Sequence, residues 1–345
     1  MGHSIFSPIF SLLSDQKRID CTSMEQTFRS KTGEAVLICS MQQGDLDTAD
    51  YVTRLAFGTF LGMPDPLQFM GDASYIPTRW KADPAAAFCA RMDNEVVGSV
   101  FAVNWGSVGF FGPLTTHPKV WDRGIAQYLM APVMECFKTW GSKHLGLFTF
   151  AQSIKHVSLY RKFGFYPRFL TAIMSKPVQQ KLQNISWSCF SDAGKGSAES
   201  LLKQCYKLTD SVFEGLDLTR EIQSVSSQNL GETVLLWDEG NLIGMAICHC
   251  GPGTEAGSGT CYIKFGVVGS DVRSGQHFEK LLIACEQLAW KKSLDKIVGG
   301  VNTARREAYK LMLAKGYATN VQGVVMQQPD AGYNRADVFL IDDWR

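Results

Sequence analysis

Two stretches of the chain repeat one pattern of apolar and polar positions. Residues 87–116 read "AFCARMDNEVVGSVFAVNWGSVGFFGPLTT" and residues 233–268 read "TVLLWDEGNLIGMAICHCGPGTEAGSGTCYIKFGVV". Each begins with an apolar run and meets an acidic turn, Met92-Asp93-Asn94-Glu95 or Asp238-Glu239-Gly240-Asn241. Each then resumes as Val96-Val97-Gly98-Ser99-Val100 or Leu242-Ile243-Gly244-Met245-Ala246. Short apolar runs joined by Asp/Asn/Gly turns predict antiparallel hairpins, and a third strand follows in each copy. Apolar residues then fall at helical spacing: Ile125, Leu129, Met130, Val133, Met134 and Phe137, and again Phe278, Leu281, Leu282, Cys285 and Leu288. This spacing predicts helices over 124–141 and 276–291. Short strands follow at 144–150 and 296–301. Beyond them, "HVSLYRKFGFYPRF" (156–169) and "REAYKLMLAKGYAT" (306–319) predict a helix that closes on Gly164 or Gly316, the residue type suited to a C′ cap.

The repeat distance is about 150 residues, too long for a solenoid unit and right for a duplicated domain. The pattern predicts an arm over 1–32, a first domain over 33–180 and a second over 181–345, with the joint between Lys176-Pro177 and Ser186. Each copy reads as paired helices, antiparallel strands, helix, strand, helix, strands, a mixed α/β plan. The length of 345 residues agrees with two domains.

Composition narrows the function classes. The formal net charge is +1, so a general nucleic-acid surface is not expected and anionic ligands must be held locally. Ten cysteines scattered along the chain read as reduced thiols of a cytoplasmic protein. The closest group is Cys248-His249-Cys250 with Cys261. Strand alternation places Cys248 and Cys250 on one face and His249 on the other, poor geometry for zinc, so no metal is expected. The opening "MGHSIFSPIFSLL" lacks both a basic leader and a long apolar run, and no membrane association is expected.

The order of parts resembles the GNAT (Gcn5-related N-acetyltransferase) superfamily, twice over, across residues 33–176 and 185–343. The family's [Gln/Arg]-x-x-Gly-x-[Gly/Ala] signature follows a strand and opens a helix. Thr116-His117-Pro118-Lys119-Val120-Trp121-Asp122-Arg123-Gly124-Ile125-Ala126 aligns with it without a gap; Gly124 and Ala126 match, and Trp121 departs at the Gln/Arg position. A second marker, Asn followed after seven residues by Tyr and then Gly-Phe, is met by Tyr160 and Gly164-Phe165, with Ser153 in the Asn place. In the second half it is met by Asn302, Tyr309 and Gly316-Tyr317. The resemblance implies two tandem GNAT-like domains. Each would be a mixed, mostly antiparallel sheet with splayed central strands flanked by helices.

It also implies acetyl-CoA as cosubstrate and an N-acetyltransferase reaction in which a primary amine of a small molecule or peptide attacks the thioester directly. The coenzyme-binding residues would be Leu114, Thr115 and Thr116, whose backbone meets the pantetheine arm. Trp121, Asp122, Arg123, Gly124, Ile125 and Ala126 would form the pyrophosphate loop, and Ser153 would complete the set. Physically, a helix start offers unpaired N–H groups and partial positive charge, and small residues allow close backbone approach to phosphate. The resemblance makes Tyr160 the acid that protonates the departing thiol. Strand 107–116 holds no carboxylate to serve as base, which leaves His117 and His156 as candidates. His156 lies four residues before Tyr160, on the same helix face. Phe57, Phe60, Met63 and Phe69 would line an acceptor pocket. In the second half Gln276 and Phe278 stand where Gly and Gly/Ala belong, so a degenerate seat with a structural or acceptor-shaping role is expected there. The alternatives are a non-catalytic acyl-CoA-binding or interaction protein on the same fold, and acyl transfer to oxygen or sulfur.

Overall fold

The structure is a computed structural model and describes residues 25–180, 183–194, 196–329 and 332–345. The first half runs β1 (Glu25–Arg29), β2 (Ala35–Ser40), α1 (Leu46–Phe60), α2 (Ile76–Ala82), β3 (Ala87–Met92), β4 (Glu95–Trp105), β5 (Val108–Phe111), β6 (Thr115–Thr116), α3 (Ile125–Trp140), β7 (His144–Thr149), α4 (Ile154–Arg161) and β8 (Tyr166–Pro177). The second half runs β9 (Trp187–Cys189), α5 (Ala198–Val212), α6 (Thr219–Ser227), β10 (Gly231–Asp238), β11 (Asn241–Gly251), β12 (Gly257–Val268), α7 (Ser274–Lys291), β13 (Lys296–Asn302), α8 (Arg306–Ala314), β14 (Ala318–Gln328) and β15 (Leu340–Asp342). The architecture is the mixed α/β plan expected from the sequence.

Local chemistry explains the turns. Asp93 and Asn94 have φ of 49° and 64°, and Glu239 and Gly240 have 48° and 80°. Two successive positive φ values match the right-handed twist of the flanking strands. Gly164 and Gly316, at φ of 86° and 85°, end α4 and α8 in the left-handed conformation that a Cβ disfavours.

The expected arm over 1–32 differs where it is described. Glu25–Arg29 pairs antiparallel with β2, Glu25 opposite Cys39. Phe28 stacks on Tyr128 of α3 with ring centroids 4.4 Å apart, and the Tyr128 hydroxyl donates to the Arg29 carbonyl at 2.7 Å. Residues 1–24 of that expectation lie outside the described residues.

The halves are interlocked rather than set side by side. The main sheet path is β1-β2-β3-β4-β5-β7-β14-β8-β13-β12-β11-β10-β9. The strand that follows the last helix of each half thus crosses into the other: β14 lies between β7 and β8, and β8 lies between β14 and β13. Apolar cores lie within each half, around Phe88, Leu129 and Phe165 and around Ile76 and Phe101 in the first, and around Phe278, Leu281 and Ile297 in the second. Another joins them: Trp105 and Phe110 pack with Leu208, Ile247, Phe265 and Trp344. Gly146 makes room for this packing, since a Cβ there would lie 1.9 Å from Cζ3 of Trp344.

Candidate active site

The parallel pairing of β5 with β7 runs from Val108↔His144 to Phe110↔Gly146 and stops. Beyond it β7 continues against β14, while the chain after Phe111 stays with β4, pairing Ser99↔Thr115 and Gly98↔Thr116. The two strands therefore splay, and β6 pairs with no strand but β4 among the described residues. Thr115 is buried, its hydroxyl 3.2 Å from both the Thr53 and Ser99 hydroxyls. Leu114 is half-buried against the first core.

The splay leads to the loop before α3. His117 donates its N–H to the Val97 carbonyl (2.8 Å) and accepts the Lys119 N–H at Nδ1 (3.0 Å), capping a turn over Pro118–Val120. Trp121 donates its indole N–H to the Thr116 carbonyl at 2.8 Å. The residue that departs from the family signature thus ties the loop to β6. Asp122 and Gly124 have φ of 65° and 85°, flanking Arg123. Among the described residues no hydrogen bond uses the N–H of Asp122, Arg123, Gly124, Ile125 or Ala126 as donor. Five neighbouring donors at a helix start, wound through two left-handed residues, form a concavity suited to an anion. The residues fit a pyrophosphate on that ground.

The charges around the loop are arranged differently from the expectation for Arg123. Its guanidinium pairs with Glu34 and donates to the Lys119 carbonyl at 3.2 Å. Asp122 is held by Lys155 at 2.8 Å, which lowers its carboxyl pKa. Lys31 adds a cation over the loop: its backbone N–H donates to the Arg123 carbonyl at 3.0 Å, and its side-chain carbons lie 3.5 Å from where a Gly124 Cβ would stand. Lys31 makes no ion pair among the described residues. Sequence reasoning placed it in the arm and missed it. Only its position on the β1–β2 turn, which pairing with α3 brings over the loop, reveals it.

Tyr160 sits on α4, 7% exposed, its ring edge-on to Phe111 at 5.6 Å. Burial pushes its phenol well above the usual range, so it stays a proton donor at neutral pH. Its hydroxyl makes no hydrogen bond among the described residues. Ser153 caps α4, accepting the His156 N–H at 3.4 Å. His156 packs on Phe60 at 5.0 Å, and Phe60, Phe57, Phe69 and Phe150 form one half-buried aromatic group. Burial, then Lys155, lowers the His156 pKa. Burial, then Lys119, lowers that of His117. The two histidines differ in what they can do. Nδ1 of His117 is engaged in its cap, whereas the His156 ring makes no hydrogen bond to another described residue.

The matching place in the second half is closed. Ser274 accepts the Asp271 N–H at 2.7 Å, and Asp271 accepts the Arg273 N–H at 2.7 Å. Phe278 is fully buried, and Arg273 pairs with Asp238 at 3.0 Å. The splay itself is filled: β12 and β13 pair up to Ile263↔Gly299, and β15 then takes their place, pairing Phe265↔Asp342, Gly266↔Ile341 and Val267↔Leu340. The chain's own strand lies where an extended ligand would add one. Among the described residues no group of His, Cys, Asp and Glu could hold a metal, and no helix is long and apolar enough to cross a membrane.

The family model "Acetyltransferase (GNAT) family" matches residues 59–165, from α1 through α4. No curated protein sequence matches the chain significantly. Among solved structures, a protein of Pyrococcus horikoshii assigned as an acetyltransferase superposes with a TM-score of 0.64 at 12% identity, covering 90% of this chain and 95% of its own. A GCN5-related N-acetyltransferase from Sphaerobacter thermophilus gives 0.53 at 12% identity, over 85% and 95%. A tandem GNAT protein from the clavulanic acid biosynthesis pathway gives 0.53 at 12% identity, over 86% of this chain and all of its own. Residues 59–165 thus match the GNAT acetyltransferase family model, and the whole chain carries the GNAT fold in tandem.

Proposed function

We propose that the protein is an acetyl-CoA-dependent N-acetyltransferase that passes its acyl group to a primary amine of a small molecule or peptide, with both substrates bound together. The observation that carries this reading is the set of five unpartnered N–H groups from Asp122 to Ala126, set beside the splay of β6 and β7. Lys31 adds a charge there, and Leu114, Thr115 and Thr116 present the strand edge for the pantetheine arm. Tyr160 supplies a proton at the departing thiol. The His156 ring, whose pKa burial lowers and which makes no hydrogen bond among the described residues, is favoured over His117 to receive the amine proton. Phe57, Phe60 and Phe69, grouped about His156, would contact the acceptor. The closed α7 start and the β15 strand support one coenzyme site per chain, with the second half shaping the acceptor side.

Calorimetric titration with acetyl-CoA tests the reading, followed by an amine screen that reads thiol release. One site per chain and amine-dependent release are expected. Two sites would overturn the reading of the second half. Binding without turnover across the screen would favour an acyl-CoA-binding protein, which the absence of a carboxylate on β5 and β6 supports as the second reading. Transfer to alcohols or thiols in the screen would establish the oxygen or sulfur variant instead.

A further inference from the structure

A narrow, open-mouthed cleft runs between the halves, away from the α3 loop, with a cavity volume of about 40 Å³. α2 and β4 form one side and α6, β11 and β12 the other. Arg79, Asn104, Glu221, His249, Glu255 and Lys264 line it. Apart from Asn104 these are buried residues, and their charges balance. Arg79 pairs with Glu255 (2.8 Å), and Lys264 bridges Glu221 (2.8 Å) and Glu255 (3.1 Å). The indole N–H of Trp105 donates to Glu221 Oε2 at 3.2 Å. Burial opposes ionisation of both carboxyls, but the Lys264 ammonium beside Glu221 holds it at about 2, and Arg79 with Lys264 holds Glu255 low as well.

One group in this network is left over. His249 is 1% exposed, and its Nδ1 accepts the Glu255 N–H at 3.3 Å, so the ring proton sits on Nε2. Nε2 has no hydrogen-bond partner; Glu221 Oε1, at 3.8 Å, is beyond reach. An atom bridging the two must accept from Nε2 and donate to a carboxylate. An ammonium only donates and a carboxylate only accepts; a hydroxyl does both. The cleft also adjoins the first-half site: Arg79 donates to the carbonyl of Gly112, two residues before Leu114.

We propose that this cleft is a further part of the acceptor site, in addition to the aromatic group around His156, and that it selects a small amine carrying a hydroxyl group, the hydroxyl seated between His249 Nε2 and Glu221 Oε1. The inference rests on the acetyltransferase reading for the role of the bound molecule, but its binding can be tested separately. The side-chain amide of Asn104, whose Oδ1 already accepts the Gly106 N–H at 2.8 Å, has its NH₂ free for further polar atoms of the ligand.

The test is ligand-observed NMR on the full chain with and without acetyl-CoA. The probes are ethanolamine, serinol and glucosamine, each beside its plain counterpart: ethylamine, isopropylamine and cyclohexylamine. At least one hydroxylated member should bind at least tenfold more tightly than its counterpart. That preference should vanish in His249→Phe and return in part in His249→Gln, whose amide N–H replaces Nε2–H. Acetyl-CoA affinity, measured in parallel, should change less than threefold in both variants, and a cooperative melt establishes that each is folded. Equal handling of every pair, as a site holding water alone would give, overturns the inference. So does binding by no member, or a preference that survives in His249→Phe. Loss of acetyl-CoA binding by the wild type would instead overturn the coenzyme reading, and leave a hydroxyl preference in the cleft standing.

Discussion

The proposed phosphate seat can be tested by charge alone at Gly124. The residue has φ of +85°, and a Cβ added there would meet only Lys31 side-chain carbons, at 3.5 Å or more. Any L-residue therefore pays backbone strain of about 1–2 kcal/mol and meets no steric block. For a chain of this size that is a fall in melting temperature of a few degrees, roughly 2–4 °C per kcal/mol. Gly124→Ala, Gly124→Glu and Gly124→Lys share this strain, so differences among them report charge and bulk at the loop. A carboxylate about 5 Å from a phosphate charge costs roughly 0.8 kcal/mol in bulk water and about 3 kcal/mol at an effective dielectric of 20. Lys31 and Asp122 are exposed, so the lower figure applies. Doubled for the two charges of a pyrophosphate it is about 1.6 kcal/mol, or somewhat over tenfold in affinity. Calorimetry with acetyl-CoA should show Gly124→Glu more than tenfold weaker than Gly124→Ala, and Gly124→Lys tighter than Gly124→Glu. The gap should narrow with added salt, because the Debye length falls from about 10 Å at 0.1 M to 3 Å at 1 M. Equal affinities for the Ala, Glu and Lys variants would refute a phosphate at this helix start.

Tyr160→Phe should lower kcat by roughly 10²-fold or more while acetyl-CoA affinity stays within threefold, since burial keeps the phenol protonated as a donor; an unchanged kcat removes its acid role. The His156 pKa is depressed from 6.5 by burial, so the unfolded chain binds the extra proton first. Its contribution to stability is fully present above about pH 6.5 and lost as pH falls through the folded value. His156→Phe should flatten the dependence of melting temperature on pH between 7.5 and 5, and an unaltered slope counts against a desolvated ring. Gly146→Ala forces a Cβ to within 1.9 Å of Trp344 and should cost about 1–3 kcal/mol by overpacking. Added to Trp344→Ala it should cost much less, and strict additivity in denaturant melts would show that the two do not touch.

Much of the fold was legible because it is written in local chemistry. Asp93-Asn94 and Glu239-Gly240 announce their hairpins through residues that tolerate positive φ, and Gly164 and Gly316 announce helix ends in the same way. The α3 loop was legible for a related reason: Gly124 and Ala126 are small where, on the proposed reading, backbone approaches a phosphate. What local pattern does not carry is the partner. β8 and β14 read as the strands that follow the last helix of their own halves. Their alternation of buried and exposed residues would serve equally well beside either sheet, since only a slip in register turns a strand's faces over. The pairing Gly299↔Met174 and Val325↔Phe148 is a long-range choice. Lys31 was invisible for the same reason, being a turn lysine until β1 leans on Tyr128. So was the cleft, whose Arg79–Glu255 pair joins residues 176 positions apart.

The exchange of strands gives a physical account of why two copies of one fold are not equivalent. In the first half the splay between β6 and β7 keeps a strand edge and a loop of unpartnered N–H groups. In the second, the segment after β14 returns as β15 and fills the corresponding space between β12 and β13. Ile341 packs there against Gly299, and Asp343 against Gly300, two positions where a Cβ would stand 3.2 Å and 2.2 Å from those side chains. The glycines that would have admitted a ligand admit the chain instead. The same segment then carries Trp344 onto Phe110 and Gly146, across the back of the first half's β5–β7 pair. Closing the second seat and bracing the first are thus one structural act. A substitution such as Ile341→Asp, which buries a carboxylate in the filled splay, should therefore weaken acetyl-CoA binding at a loop on the other half. If Ile341→Asp folded cooperatively and bound acetyl-CoA like the wild type, the two halves would be mechanically independent, and the bracing role of β15 would be wrong.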